Sequence, residues 1–171
     1  MINLLKLSSL FLCLCSIVAM HPEDPKDRPH HLLTYGTIGS VFHYGDQLFI
    51  GQYNSSLDNG LVYVYSSNKE GNYSKHKILC PIPEAKGYKF GHSIAAYGDY
   101  LVIGAPNRVQ SKGKTFLFKK DNFNEWIFQK ELIPREDISH DFGSTVYIND
   151  KHIFIADRYL NGNQGAAVSY T

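Results

Sequence analysis

The sequence predicts an all-β repeat protein, a partial β-propeller of about three four-stranded blades with the last blade incomplete. Three observations carry this expectation. Landmark residues recur at a fixed interval, 53 positions from Gly45 to Gly98 and from Gly60 to Gly113, and 52 from Gly113 to Gly165 and from Phe90 to Phe142. A period in this range marks a chain whose units each bury an apolar face against a neighbour. Every unit is also built of short apolar runs broken by turn residues, without helical periodicity. The second run of each unit (LFI, YLVI, HIFI) is apolar on consecutive positions, as in strands covered on both faces when blades stack. A three-strand-per-turn solenoid fits the hairpin turns less well.

Residues 1–19 read as a secretory signal peptide: Lys6, then the apolar stretch Leu7 to Val18, then Ala19. That core is shorter than the about 20 residues that span a bilayer, and it runs directly into HPEDPKDRPHH. With no second apolar run, a secreted, extracellular chain without a membrane span is expected. Residues 20–32, rich in Pro and charge, read as a flexible lead-in. The adjacent His30 and His31 lack further spaced ligands and define no coordination site.

The repeat region covers 33–171, with blades at about 33–83, 84–134 and 135–171. In the first, Ser40 to Tyr44 and Gln47 to Gly51 form a hairpin through Tyr44-Gly45-Asp46, where Gly supplies positive φ. Leu61 to Tyr65 is the third strand and Lys75 to Cys80 the fourth, closed by Pro81 and Pro83 because proline donates no ladder hydrogen bond. The second blade repeats this with Ser93 to Tyr97, Tyr100 to Ile103, Thr115 to Lys119 and Glu125 to Leu132, and Pro134 stops it. Alternation sends Phe116 and Phe118 to one side of the third strand and Thr115 and Leu117 to the other. The third blade has Ser144 to Ile148, His152 to Ala156 and Ala166 to Tyr170, with no fourth strand after them.

Charge and cysteine content narrow the function. The chain has 17 basic and 16 acidic residues, and removing the signal peptide with Lys6 balances them. A neutral surface offers no counterion release, so neither a nucleic-acid nor an anionic-membrane partner is expected. Of the three cysteines, only Cys80 lies beyond the signal peptide, which excludes a disulfide framework within one chain. Cys80 stands where Ile133 stands one repeat later and reads as a small buried apolar residue.

Phe90-Gly91, Gly104-Ala105-Pro106 and Gly113 before an aromatic strand resemble FG-GAP repeats, the units of the propeller domains of integrin α chains and of a secreted glycosylphosphatidylinositol-specific phospholipase D. The third unit keeps Phe142-Gly143 but has Ala156-Asp157-Arg158 in place of the second motif. The first has Ile38-Gly39 and Gly51-Gln52-Tyr53 in the two places. The resemblance covers Gly36 to Thr171 and implies four-stranded blades, an extracellular setting and a binding role, with no catalytic residues. Many such repeats bind calcium in an acid-rich loop between the first two strands. Here that loop has shrunk to Tyr44-Gly45-Asp46, Tyr97-Gly98-Asp99 and Asn149-Asp150-Lys151, too few oxygens for the about six to eight ligands calcium takes. No cofactor is expected.

Two N-glycosylation acceptor triplets start at Asn54 and Asn72. No hydrolase, zincin, Walker or dinucleotide fingerprint is present, so an enzyme is not expected. Arg135, Glu136, Asp137 and His140, with Asp157 and Arg158, lie in loops that a propeller gathers on one face, where the resembling integrin domains meet ligands. The expected function is a secreted, non-catalytic adhesion-type module that recognises an extracellular protein or glycan through its loops. The alternative is an accessory propeller fragment of a secreted, phospholipase D-like hydrolase, without activity of its own. Propellers close with at least about four blades, so a truncated product is the expected explanation of this length, ahead of several chains completing one ring or of open stacking with self-association through uncovered blade faces.

Overall fold

The structure is a computed structural model that describes residues 16–17, 30–31, 37–53, 60–80, 88–107, 112–134, 141–159 and 164–171. The chain divides into two units, Met1–Gly36 and Thr37–Thr171. In the first, β1 (Ser16–Ile17) pairs antiparallel with β2 (His30–His31).

The second unit is all-β and consists of three antiparallel meanders. The first sheet runs β3 (Ile38–Tyr44), β4 (Gln47–Gln52), β5 (Leu61–Ser67) and β6 (Tyr73–Leu79). The second runs β7 (Ser93–Tyr97), β8 (Tyr100–Ala105), β9 (Lys114–Lys120) and β10 (Trp126–Leu132). The third has β11 (Thr145–Ile148), β12 (Ile153–Asp157) and β13 (Ala166–Tyr170). The hairpin turns form as their residues dictate. Gly45 and Gly98 take φ of 62° and 55°, while Asn149 Oδ1 accepts the Lys151 and His152 amides at 2.9 and 2.8 Å. Both fourth strands carry a bulge at the same place, looping out His76 before Lys77 (opposite Val64) and Gln129 before Lys130 (opposite Leu117).

The second sheet is the filling between the other two. Leu101, Ile103, Phe116, Phe118 and Trp126 join Phe49, Val62 and Val64 of the first sheet in one core. Ala95, Val102, Leu117 and Leu132 join Phe142, Val146, Ile148 and Ile155 of the third in another. Strict alternation along β9 therefore splits its side chains between two cores, and β8 is buried at every position after Tyr100. On β12 only one face is covered: Ile155 is fully buried, whereas Phe154 is 39% exposed.

Backbone contacts hold neighbouring sheets at a fixed register. Gly91 and Gly143, at φ of 86° and 88°, turn their carbonyls back onto the preceding sheet. Each carbonyl accepts a serine hydroxyl there, Ser40 Oγ to Gly91 and Ser93 Oγ to Gly143, both at 2.8 Å. It also lies so close to a glycine, Gly51 or Gly104 respectively, that a Cβ on either would overlap it. Gly60 and Gly113 meet the Phe90 and Phe142 carbonyls in the same way, and Gly60 bridges Phe90 in parallel. The Phe-Gly pair of one repeat is thus a plug, and the two glycines of the repeat before it form the socket.

One expectation is corrected. Cys80 is exposed rather than buried, because Leu79 is the last inward residue of β6 and the next position alternates outward. Ile133 in the second repeat is likewise 55% exposed. Partial burial nevertheless pushes the Cys80 thiol pKa up. Gly39 does not act as Gly91 and Gly143 do: it lies inside β3 with no positive φ, so the Ile38-Gly39 pair forms no plug. Pro81 and Pro83 lie outside the described residues, while Pro134 follows β10 and is buried.

Candidate functional site

The ends of the strands separate two surfaces. The hairpin turns after β3, β7 and β11 and the turns after β5 and β9 lie at one end. The opposite, loop end carries the exits of β4, β8 and β12 and the entries to β7 and β11. Here the three sheets bring side chains together. Tyr53, just past β4, packs its ring on His92 with centroids 5.6 Å apart, and Lys89 Nζ lies 5.2 Å above the same tyrosine ring. From the third sheet, the Ser144 carbonyl takes His92 Nδ1 at 3.2 Å.

A carbonyl only accepts, so Nδ1 carries the proton and the neutral ring presents Nε2 as an acceptor. Burial lowers the His92 pKa, and the charges of Arg158 and Lys89 push the same way against the Ser144 carbonyl and Asp141. The group is therefore neutral near pH 7.

Asp141 and Arg158 complete the cluster. Asp141 has no exposed surface, and its Oδ2 accepts Arg158 Nε at 2.6 Å. That bond raises the guanidinium pKa above its already high ordinary range. Half of the Arg158 side chain remains open to solvent, so the pair is anchored at the acid and accessible at the base. Asp157 behaves differently from its expected role as a loop ligand. It ends β12, is 1% exposed, and its Oδ1 accepts the Tyr159 amide at 2.9 Å, which makes it a turn-forming group. Arg135, Glu136, Asp137 and His140 lie outside the described residues, as does Asn54. Asn72 is exposed in the turn between β5 and β6, its Nδ2 donating to Glu70 at 3.3 Å.

Sequence reading identified Arg158 but missed Tyr53, Lys89, His92 and Asp141. The period held the signal for one of them: His92 directly follows the Phe-Gly plug, so its position is fixed by the contact that joins two sheets. Among the described residues no group of three His, Cys, Asp or Glu side chains could hold a metal ion, and no helix is long and apolar enough to cross a membrane. A polar hollow of about 590 Å³ lies at the opposite end, bordered by Asp99, Lys119, Lys120 and Asp121. The Asp121 carboxylate there accepts the Phe123 and Glu125 amides, which commits it to shaping the turn. No family model matches the chain, and no curated protein matches it.

Proposed function

We propose that this chain is a secreted, non-catalytic binding module of FG-GAP type, a partial propeller that recognises an extracellular protein or glycan at its loop end. The observation that carries the reading is the convergence of all three sheets on that end, where Tyr53, Lys89, His92 and Arg158 assemble a cationic and aromatic surface on a rigid base. Arginine and tyrosine there supply planar hydrogen bonding and ring contact, the chemistry by which interfaces anchor acidic side chains or sugar rings. The plug-and-socket glycines favour the FG-GAP assignment, since the motif residues that carry the resemblance are those that join sheet to sheet. Glycosylation at exposed Asn72 would decorate the turn end.

The test is binding of the purified chain to arrays of extracellular proteins and glycans, followed by charge reversal at each end. Lys89→Glu is expected to abolish the strongest interaction, whereas Lys151→Glu, at the turn end, leaves it unchanged. Equal effects from both substitutions, or no binding partner on either array, would overturn the reading.

A further inference from the structure

Three side chains at the loop end keep a polar group without a partner among the described residues. Arg158 commits Nε to Asp141, and its two terminal nitrogens donate to none of these residues. Lys89 Nζ lies over the Tyr53 ring and forms no ion pair with them. His92 gives Nδ1 to the Ser144 carbonyl, and its Nε2 receives no hydrogen bond from them.

The backbone holds two of these groups in place. The Lys89 amide donates to the Pro106 carbonyl at 3.1 Å, and the His92 amide donates back to the Lys89 carbonyl at 3.0 Å. Between them Gly91 is fixed by the Ser40 hydroxyl. Tyr53, Lys89 and His92 belong to the first and second sheets, both four-stranded, so this part of the surface does not depend on how far the third sheet extends.

Charge is balanced over the whole chain but not here. Lys89 and Arg158 both act on the His92 ring, and the acid that acts against them, Asp141, is fully buried. A ligand arriving from solvent therefore meets two cations and no carboxylate. It also meets Nε2, an acceptor that needs an O–H or N–H donor. An acidic protein side chain supplies the anion without the donor. An acidic sugar carries a carboxylate and a neighbouring hydroxyl on one ring, and its C–H face suits the Tyr53 ring.

We propose, on the reading of the loop end as the binding surface, that it takes an acidic sugar, a uronate or a sialate. The carboxylate lies between Lys89 and Arg158, the neighbouring hydroxyl donates to His92 Nε2, and Tyr53 forms the wall. A few placed polar groups beside a ring then fix the orientation of the sugar.

The experiment titrates the isotope-labelled full chain with the methyl glycosides of glucuronate, of sialate and of glucose, and with a short aspartate-containing peptide, following the NMR signals of His92 and Tyr53. The glucuronoside or the sialoside is expected to shift both residues, and the one that does so identifies the source of the carboxylate. The glucoside, which lacks the carboxylate, should bind at least about tenfold more weakly, the equivalent of a lost charge-assisted hydrogen bond. Lys89→Gln should weaken the acidic sugar and leave the glucoside unchanged. An analogue of the acidic sugar without the hydroxyl next to its carboxylate should bind more weakly than its parent to the native chain. It should bind equally with its parent to His92→Phe, which keeps a ring against Tyr53 and lacks Nε2. Equal binding of glucoside and glucuronoside, with no shift from the sialoside, overturns the proposal, as does a hydroxyl preference that survives in His92→Phe. A peptide that shifts His92 and Tyr53 where no sugar does overturns the acidic sugar and leaves the loop end standing as a protein-binding surface. No shift from any of the four probes also overturns the acidic sugar, and the loop-end reading is then decided by the arrays and the charge reversals alone.

Discussion

The junction between the first and second sheets and the junction between the second and third share one backbone contact and little side-chain chemistry. The first is filled with rings: Phe90 meets Phe116 and Phe118 edge-on at 5.3 and 6.3 Å, and Trp126 meets Phe49 at 6.0 Å. The second is filled mainly by aliphatic residues, with Phe142 the one aromatic among its fully enclosed members. Yet Gly91 and Gly143 enter their sockets with nearly the same φ and the same serine hydrogen bond. Register between sheets is set by the backbone plug, and the side chains have only to fill the remaining volume. This is why the repeat can wear so unevenly along the chain and still stack.

The strongest way to break the comparison is to fill a socket. Gly104→Ala places a methyl on the Gly143 carbonyl, where backbone cannot yield as a flexible side chain can. It should destabilise the chain by at least about 3 kcal/mol in denaturant titration. Ala156→Gly, the reverse change at the corresponding position of the third sheet, should cost no more than about 1 kcal/mol, because it removes only a conformational restriction. Equal losses from the two would show that the socket has no special role.

Substitutions on opposite faces of β9 should then separate the junctions. Phe116→Ala opens the aromatic core and should cost about 3 to 5 kcal/mol, and Leu117→Ala opens the aliphatic one at about 2 to 5 kcal/mol. The single Trp126 lies in the first core and reports on it directly. Its fluorescence should shift in native Phe116→Ala and stay unchanged in native Leu117→Ala.

Two smaller effects belong to the loop end. Arg158→Ala deprives the fully buried Asp141 carboxylate of a charged partner and should cost about 1 to 3 kcal/mol, whereas Arg158→Lys should recover part of that loss. His92 gives the pH dependence. Its pKa in the fold lies below its ordinary value, so below about pH 6.5 the unfolded chain binds more protons than the folded one, and stability falls as pH falls. The melting temperature should therefore decline from about pH 7 to about pH 5 more steeply in the native chain than in His92→Gln. Parallel declines would place the titration elsewhere.

The strands were legible because periodicity and turn residues are local. The hairpins at Gly45 and Gly98 and the division of Phe116 and Phe118 from Leu117 all follow from residues a few positions apart. Contacts between repeats were not legible in the same way. Gly51 and Gly104 stand out only as motif positions until the carbonyl pressed against them is seen, and Asp141 gives no sign in one dimension that Arg158 will reach it. Cys80 shows the converse error. Its counterpart Ile133 made it look apolar and inward, but one step of alternation beyond Leu79 decides its side. Gly39 differs for a third reason: it lies inside β3 without a positive φ, so it has the motif's place without the motif's geometry.

Ala156 decides what can dock beside the third sheet. It stands where Gly104 stands one repeat earlier, and a Phe-Gly plug set against it would meet a methyl where Gly143 meets bare backbone. One carbon atom therefore separates a position that admits the plug from one that refuses it.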